Sequence, residues 1–166
     1  WIAPLSVLIG VILLTVLIVN RINEKDKNDT IIQIVKETKN LIVSDSSEAL
    51  NKQNFEAFVY SLPFKYPEII IKSAYFETGH LTSDICLNYN NCFGMKFPRV
   101  RYTLANGNYY GWATYESWKL SVIDRLIWDE IYNNTDNYDE YCQTLCRKYA
   151  DKIKDGDYLK KIRRVK

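Results

Sequence analysis

The sequence predicts an α+β protein, mostly helical, with one small β-hairpin and a transmembrane helix in front of it. Three observations carry that prediction. The stretch WIAPLSVLIGVILLTVLIVN at residues 1–20 holds no charge before Arg21. Several later stretches repeat apolar residues at three-and-four spacing, the period of an amphipathic helix. One strong strand signal stands out: an Asn-Gly pair between the β-prone runs RVRYTL and YYGWATY, the commonest signature of a tight hairpin.

At 166 residues the chain is long enough for one compact domain with a real core and an appendage. Its 22 Lys and Arg nearly cancel 20 Asp and Glu, so overall charge gives no reason to expect a nucleic-acid partner. The 13 Tyr and 4 Trp suit a sugar-binding groove and an ordinary core equally.

Residues 1–20 are expected to form a single-pass anchor in a lipid bilayer. About nineteen apolar residues at ~1.5 Å rise cover the ~30 Å hydrocarbon core, and Pro4 and Gly10 are tolerated in membrane helices. A cleavable leader needs a basic start, a shorter apolar run and a small-residue cleavage site, none of which is visible. The alternative is a buried core helix. Arg21, Lys25, Lys27, Lys36 and Lys39 follow the span, which by the positive-inside tendency points the remainder toward the cytoplasm. Acids among them leave the topology open.

Residues 21–47 read as a juxtamembrane helix and linker. Ile31, Ile34, Val35, Thr38, Leu41 and Ile42 share a helical face, forming a stalk or a seam for self-association; two heptads are too few to establish the seam. The polar SDSSEALNKQ marks the boundary, and a single domain follows over 48–166.

NFEAFVYSL predicts a short helix with Phe55, Phe58, Val59 and Leu62 on one side, broken by Pro63. Pro67 opens the next helix at its first turn, where a missing N–H is harmless. PEIIIKSAYFET should run to about Thr78, with Gly79 as its stop. ESWKLSVIDRLIWDEIY is the clearest helix, with Leu120, Ile123, Ile127 and Ile131 inward and Val122 and Leu126 widening the stripe. NYDEYCQTLCRKYAD is another. The end is short and strongly basic: KKIRRVK carries five positive charges in seven residues, a solvated helix end or a contact for an anionic surface.

Four cysteines lie at 86, 92, 142 and 146. An even count beside a membrane anchor favours disulfides in an oxidising compartment, with three pairings open. Cross-links between the 86–92 loop and the C-terminal helix are expected. Only Cys142 and Cys146 approach metal-ligand spacing, and with one histidine no metal site is expected.

Ile70, Ala74 and Glu77 fall at i, i+4 and i+7, which is one helical face. Glu77 thus shares the side that packs inward, where a carboxyl resists ionisation and its pKa rises. That is what a general acid needs at neutral pH. The bland alternative is a surface glutamate at a frayed helix end.

Three motifs in order decide between these. Glu77-Thr78-Gly79, then Asn90-Asn91-Cys92-Phe93-Gly94-Met95-Lys96, then Trp112-Ala113-Thr114-Tyr115 before a helix resemble the glucosaminidase domain of glycoside hydrolase family 73. That family shows Glu-Ser/Thr-Gly, Asn-Asn-Leu-Phe-Gly-Ile-Lys and Phe-Arg-Lys-Tyr. The resemblance covers roughly residues 54 to 160.

The resemblance implies a lysozyme-like fold and a peptidoglycan glycan strand as substrate, cut at the β-1,4 bond after N-acetylglucosamine. It makes Glu77 the proton donor and places Tyr115 near the scissile bond. Asn90, Asn91, Phe93 and Gly94 would build the floor between the lobes, the asparagines bracing a tight turn. Tyr110 and Trp112 would touch the glycan, and no cofactor is implied. Lys96 is a solvated charge or a ligand for an anionic muramyl group.

The departures bear on mechanism. GHLTSDIC replaces the family's usual Gly-Trp-Gly-Lys-Ser, and its His80 reads better as a helix-end cap than as a substrate contact. With no second histidine and no Gly-x-Ser-x-Gly, a serine or cysteine hydrolase is poorly supported. Asp84 is the only acid between Glu77 and Tyr115. Either Asp84 or Glu116 serves as the second carboxylate, or the substrate's own N-acetyl oxygen acts as nucleophile, a recognised exception to the two-carboxylate scheme. The second route is preferred. The rivals are a lytic transglycosylase and a non-catalytic, membrane-anchored wall-binding or virion module. The catalytic domain would lie outside the cytoplasm, in a bacterial envelope or on a phage virion membrane.

Overall fold

A computed structural model describes residues 48–149 and 157–165. The expected membrane span at 1–20 and the juxtamembrane helix at 21–47 lie outside the described residues. Among those described, no helix is long and apolar enough to cross a membrane.

Helix α1 spans Lys52–Ser61. Asn51 caps it by accepting from the Asn54 N–H at 2.9 Å, which satisfies one of the free amides of the first turn. It buries Phe55, Phe58 and Val59. Helix α2 spans Pro67–Thr78, with Pro67 in the first turn and Gly79 at φ 58° closing the C-terminus, as the sequence predicts. The left-handed backbone does not stop there: His80 and Leu81 follow at φ 60° and 65°. Side-chain crowding makes such residues costly by ~1–2 kcal/mol each. The turn is held by Thr78, whose hydroxyl donates to the Ala74 carbonyl at 2.6 Å and accepts from the Leu81 N–H at 2.9 Å. A single helical turn, α3 at Asp84–Leu87, follows.

The hairpin pairs β1, Gly107–Tyr109, with β2, Trp112–Thr114, in the register Gly107 to Thr114, Asn108 to Ala113 and Tyr109 to Trp112. Its turn is not the predicted Asn-Gly. Tyr110 and Gly111, at φ 49° and 87°, make the bend, with both signs positive as a type I′ turn requires. Gly107 instead opens β1, and RVRYTL forms no strand. Its backbone and side chains go to a buried carboxylate rather than a ladder. Asp124 accepts from Arg101 at 2.9 and 2.8 Å, from the Thr103 hydroxyl at 3.0 Å and from the Leu104 N–H at 3.1 Å. On its other side β2 meets residues 95–97, through Ala113 N–H to Met95 O and Phe97 N–H to Gly111 O, both 2.9 Å.

Helix α4, Trp118–Tyr132, is the central element. Every residue from Trp118 to Leu126 is buried, Lys119, Asp124 and Arg125 included. Beyond Leu126 the inward stripe differs from the predicted one. Ile127 is half-buried and Ile131 is 50% exposed, while Asp129 and Asn133 turn inward. The reason is polar: Asp129 accepts from the Tyr141 hydroxyl at 2.7 Å and from Arg125 at 3.2 Å. Helix α5, Tyr138–Thr144, runs into a π-helical turn at Leu145–Tyr149. Helix α6, Asp157–Arg164, buries Tyr158 and Ile162 and leaves Lys160, Lys161, Arg163 and Arg164 exposed. It packs on α2, which also meets α1.

The expected cross-links between loop and helix do not form. All four cysteines are buried free thiols. Cys92 is pinned to α4 by its N–H to the Ser121 hydroxyl at 3.2 Å, and the Cys86 sulfur lies 3.7 Å from that of Cys92, so the loop pair face each other. Among the described residues, no group of three or more His, Cys, Asp or Glu could hold a metal ion.

Candidate active site

Glu77 occupies the last turn of α2, on the face of Ile70 and Ala74, both fully buried. The Tyr158 hydroxyl of α6 donates to Glu77 Oε1 at 2.8 Å, and Ser73, one turn earlier on α2, lies 3.1 Å from the same hydroxyl. Tyrosine has one proton to give. With that proton on Glu77, the Ser73 hydroxyl is the donor to Tyr158, and the chain runs Ser73 to Tyr158 to Glu77. Burial pushes the Glu77 carboxyl above the ordinary carboxylate range. The Tyr158 hydrogen bond and the Arg125 guanidinium pull it back.

Arg125 is fully buried on α4, with its guanidinium 5.7 Å from the Phe93 ring and 4.9 Å from the Trp128 ring. It brings a positive charge near the acid without exposure to water, where the attraction is least screened.

The other oxygen of Glu77 lies toward a glycine and an indole. A Cβ built on Gly94 would sit 4.0 Å from Glu77 Oε2 and 3.8 Å from Trp112 Cζ3. Gly94 has φ 58°, so its backbone conformation already selects glycine. Lys96 sets its ammonium 3.4 Å over the Trp112 ring, a cation–π contact rather than the bare solvated charge considered above.

Glu77, Gly94 and Trp112 are thus brought together. Asn90 and Asn91 stand behind them as braces. Asn90, at φ 56°, donates to the Tyr115 carbonyl at 2.9 Å. Asn91 is fully buried; it accepts from the Met95 N–H at 2.9 Å and donates to the carbonyls of Met95 and Ala113 at 2.9 and 2.8 Å. One side chain therefore closes the 91–95 turn and ties it to β2.

Two residues implied at the substrate lie inside instead. Phe93 is fully buried, its ring 6.0 Å from that of Phe55. Tyr115 is 3% exposed, and its hydroxyl donates to Asp124 Oδ2 at 2.8 Å. The physical reason is the Asp124 carboxylate, which gathers donors from the 101–104 segment and from Tyr115, the residue after β2, onto α4. Tyr110 projects at the hairpin tip, 83% exposed. His80 is exposed, with its ring 5.3 Å from the Tyr75 ring. Asp84 is exposed and accepts from the Asn88 amide at 2.5 Å, and Glu116 is exposed as well.

Sequence reasoning missed Tyr158, Ser73 and Arg125. The spacing of Ser73 to Glu77 is legible as one helical face, and Tyr158 with Ile162 as an inward pair in a basic segment. Nothing in the sequence says that the two helices meet.

One half-buried acid, hydrogen-bonded on a single oxygen and flanked by glycine and indole, suits proton delivery to a glycosidic oxygen. The family model described as Glucosaminidase, mannosyl-glycoprotein endo-β-N-acetylglucosaminidase, matches residues 65–166. The protein is a glycoside hydrolase that acts on peptidoglycan. More narrowly, the chain belongs to the glucosaminidase family, and its activity is of the endo-β-N-acetylglucosaminidase type. No curated protein and no solved structure matches the chain.

Proposed function

We propose that Glu77 is the general acid that cuts the β-1,4 bond after N-acetylglucosamine in the glycan strand. The observation that carries this is the split between its two oxygens. Tyr158 donates to Oε1, so the acidic proton belongs on Oε2, the oxygen toward Gly94 and Trp112. A sugar seated against Trp112 and Gly94 receives that proton on its bridging oxygen.

Proton transfer leaves Glu77 as a carboxylate while the C1–O bond breaks. Tyr158 and Arg125 both favour the charged form, so they stabilise the acid's product as it forms. The acetamido oxygen of the same sugar closes on C1 to give an oxazolinium ring. Glu77 then takes a proton from water, whose oxygen opens the ring at C1 and regenerates the acid. This substrate-assisted route is supported by the exposure of Asp84 and Glu116 and by an N-acetylated substrate. Asn90, Asn91 and Gly94 shape the floor, Trp112 and Tyr110 contact the glycan, and Tyr115 acts from inside by fixing β2 to α4.

The uncharged apolar run at residues 1–20 supports a bilayer tether, and a peptidoglycan substrate favours a domain outside the cytoplasm against the pull of the basic flank, confining cutting to wall near one membrane. This suits local remodelling or phage penetration. The test of the chemistry is mass spectrometry of purified peptidoglycan digested in ¹⁸O-water. Reducing N-acetylglucosamine ends carrying one heavy oxygen are expected. Anhydro ends lighter by one water would establish lytic transglycosylation instead, and intact strands would leave the wall-binding module.

A further inference from the structure

We propose that Cys86 and Cys92 are a disulfide site, oxidised to a bond that staples α3 to the turn carrying Gly94. The bond adds a covalent tie behind the acid and is independent of which group delivers the proton. Both thiols are fully buried. They are six residues apart in sequence, with their sulfurs 3.7 Å from each other. Sulfurs at that separation are already in contact, and small side-chain and backbone adjustments bring them to the ~2 Å of a disulfide.

The backbone on either side of the pair is held without any help from sulfur. The Cys86 N–H donates to the Ser83 carbonyl at 3.0 Å, and the Asn91 N–H returns to the Ile85 carbonyl at 3.1 Å, closing the loop between the two cysteines. The Cys92 N–H donates to the Ser121 hydroxyl of α4 at 3.2 Å. The fold thus meets the entropic cost of loop closure before any cross-link forms. A buried cysteine can serve as a small apolar side chain. Two in mutual contact across a closed loop have a reaction open to them that alanine or leucine lacks.

The pair is asymmetric. Hydrogen bonding from the Cys92 thiol holds Cys86 below the usual thiol range, while burial pushes Cys92 up. Cys86 is therefore the attacking thiolate, its proton having gone to water. It forms a bond to one sulfur of a small disulfide reagent and releases the other as a thiolate. That thiolate takes the Cys92 proton, and Cys92 attacks the Cys86 sulfur and expels the second thiolate, which is protonated from water. Two protein thiols are oxidised by two electrons, and one reagent disulfide is reduced to two thiols. Access comes through α3, a single turn beside the exposed Leu87 and Asn88. So short a helix opens at small cost.

The bond acts on the site through the turn it anchors. Cys92 follows Asn91, whose side chain closes the 91–95 turn, and it comes two residues before Gly94, which faces Glu77 Oε2 and Trp112. The Tyr89 carbonyl, inside the stapled loop, accepts from the Tyr115 N–H at 3.0 Å. Tying residue 92 to α3 therefore restrains the turn beside the acid and the segment that follows β2. The location proposed above, outside the cytoplasm, is where such a bond persists.

The test incubates the full chain with glutathione disulfide, blocks free thiols with iodoacetamide in denaturant, and maps the digested peptides by mass spectrometry before and after reduction. The expected result is a peptide pair joined through Cys86 and Cys92, with Cys142 and Cys146 blocked. Thermal unfolding of the oxidised chain should lie about 5 °C above that of the reduced chain. Cys86→Ala should abolish that difference, because a reductant then has no bond to break, whereas a packing role alone would leave the unaltered chain insensitive to reductant too. Four blocked thiols after oxidation, a link from either residue to Cys142 or Cys146, or equal midpoints for oxidised and reduced chains would overturn the proposal. Each of those results leaves the role of Glu77 intact, since that role is decided by turnover of Glu77→Gln.

Discussion

Replacing Tyr158 with Phe removes one oxygen from the interior and should change how the acid titrates. The Tyr158 hydroxyl donates to Glu77 Oε1 at 2.8 Å and sits 3.1 Å from Ser73. Phenylalanine keeps the ring that packs edge-on against Phe76, so the fold should lose only about 1 kcal/mol. A hydrogen bond to a charged group contributes about 1.5–3 kcal/mol. That converts to roughly a tenfold or larger change in the ratio of acid to carboxylate, at ~1.4 kcal/mol per tenfold. The sign follows from which form the bond serves. Tyr158 stabilises the carboxylate, so its loss moves a group already raised by burial further upward. The alkaline limb of the kcat/KM profile on purified peptidoglycan should therefore shift to higher pH. The plateau should fall by about tenfold or more, because the carboxylate formed on proton transfer has lost the same stabilisation. An alkaline limb that stays in place, or moves down, would refute the role given to Tyr158.

Four other substitutions or conditions probe the frame. Gly94→Ala places a Cβ 4.0 Å from Glu77 Oε2 at φ 58°; it should cost about 1–2 kcal/mol in urea unfolding and depress turnover more than glycan binding. Asp124→Asn leaves the buried Arg101 without its carboxylate and should cost about 3–5 kcal/mol. Tyr115→Phe, which removes one donor, should cost about 1 kcal/mol in the same assay. Burial raises the carboxyls of Glu77, Asp129 and Glu130, so the folded state holds protons that the unfolded chain releases. Their contribution is fully present below the ordinary carboxylate range and is lost as pH rises through the raised values. Glu77→Gln should flatten that fall in a pH series of unfolding curves.

The helices were legible because their ends carry their own chemistry. Pro67 and Gly79 bracket α2 in the sequence as they do in the fold, and Glu77 was placed on the inward face by spacing alone. The hairpin was legible in existence and not in register. Asn106-Gly107 is the stronger turn signal, yet the 99–106 segment is drawn to Asp124, so the bend falls at Tyr110-Gly111. The same carboxylate explains why Tyr115, placed near the substrate by motif, points into the interior. Buried polar partners are the common cause of these differences. Arg101 and Asp124 are 23 residues apart, and Tyr158 and Glu77 are 81 apart. Periodicity reads neighbours on one element, and it is blind to a hydrogen bond that joins two.

The most direct measurement is turnover of purified peptidoglycan by Glu77→Gln beside the unaltered protein, with strand binding followed in parallel. Loss of general acid catalysis should lower the rate by at least about a hundredfold while binding persists. A Glu77→Gln protein that cuts the glycan at near the unaltered rate would contradict the claim that the proton comes from this carboxyl.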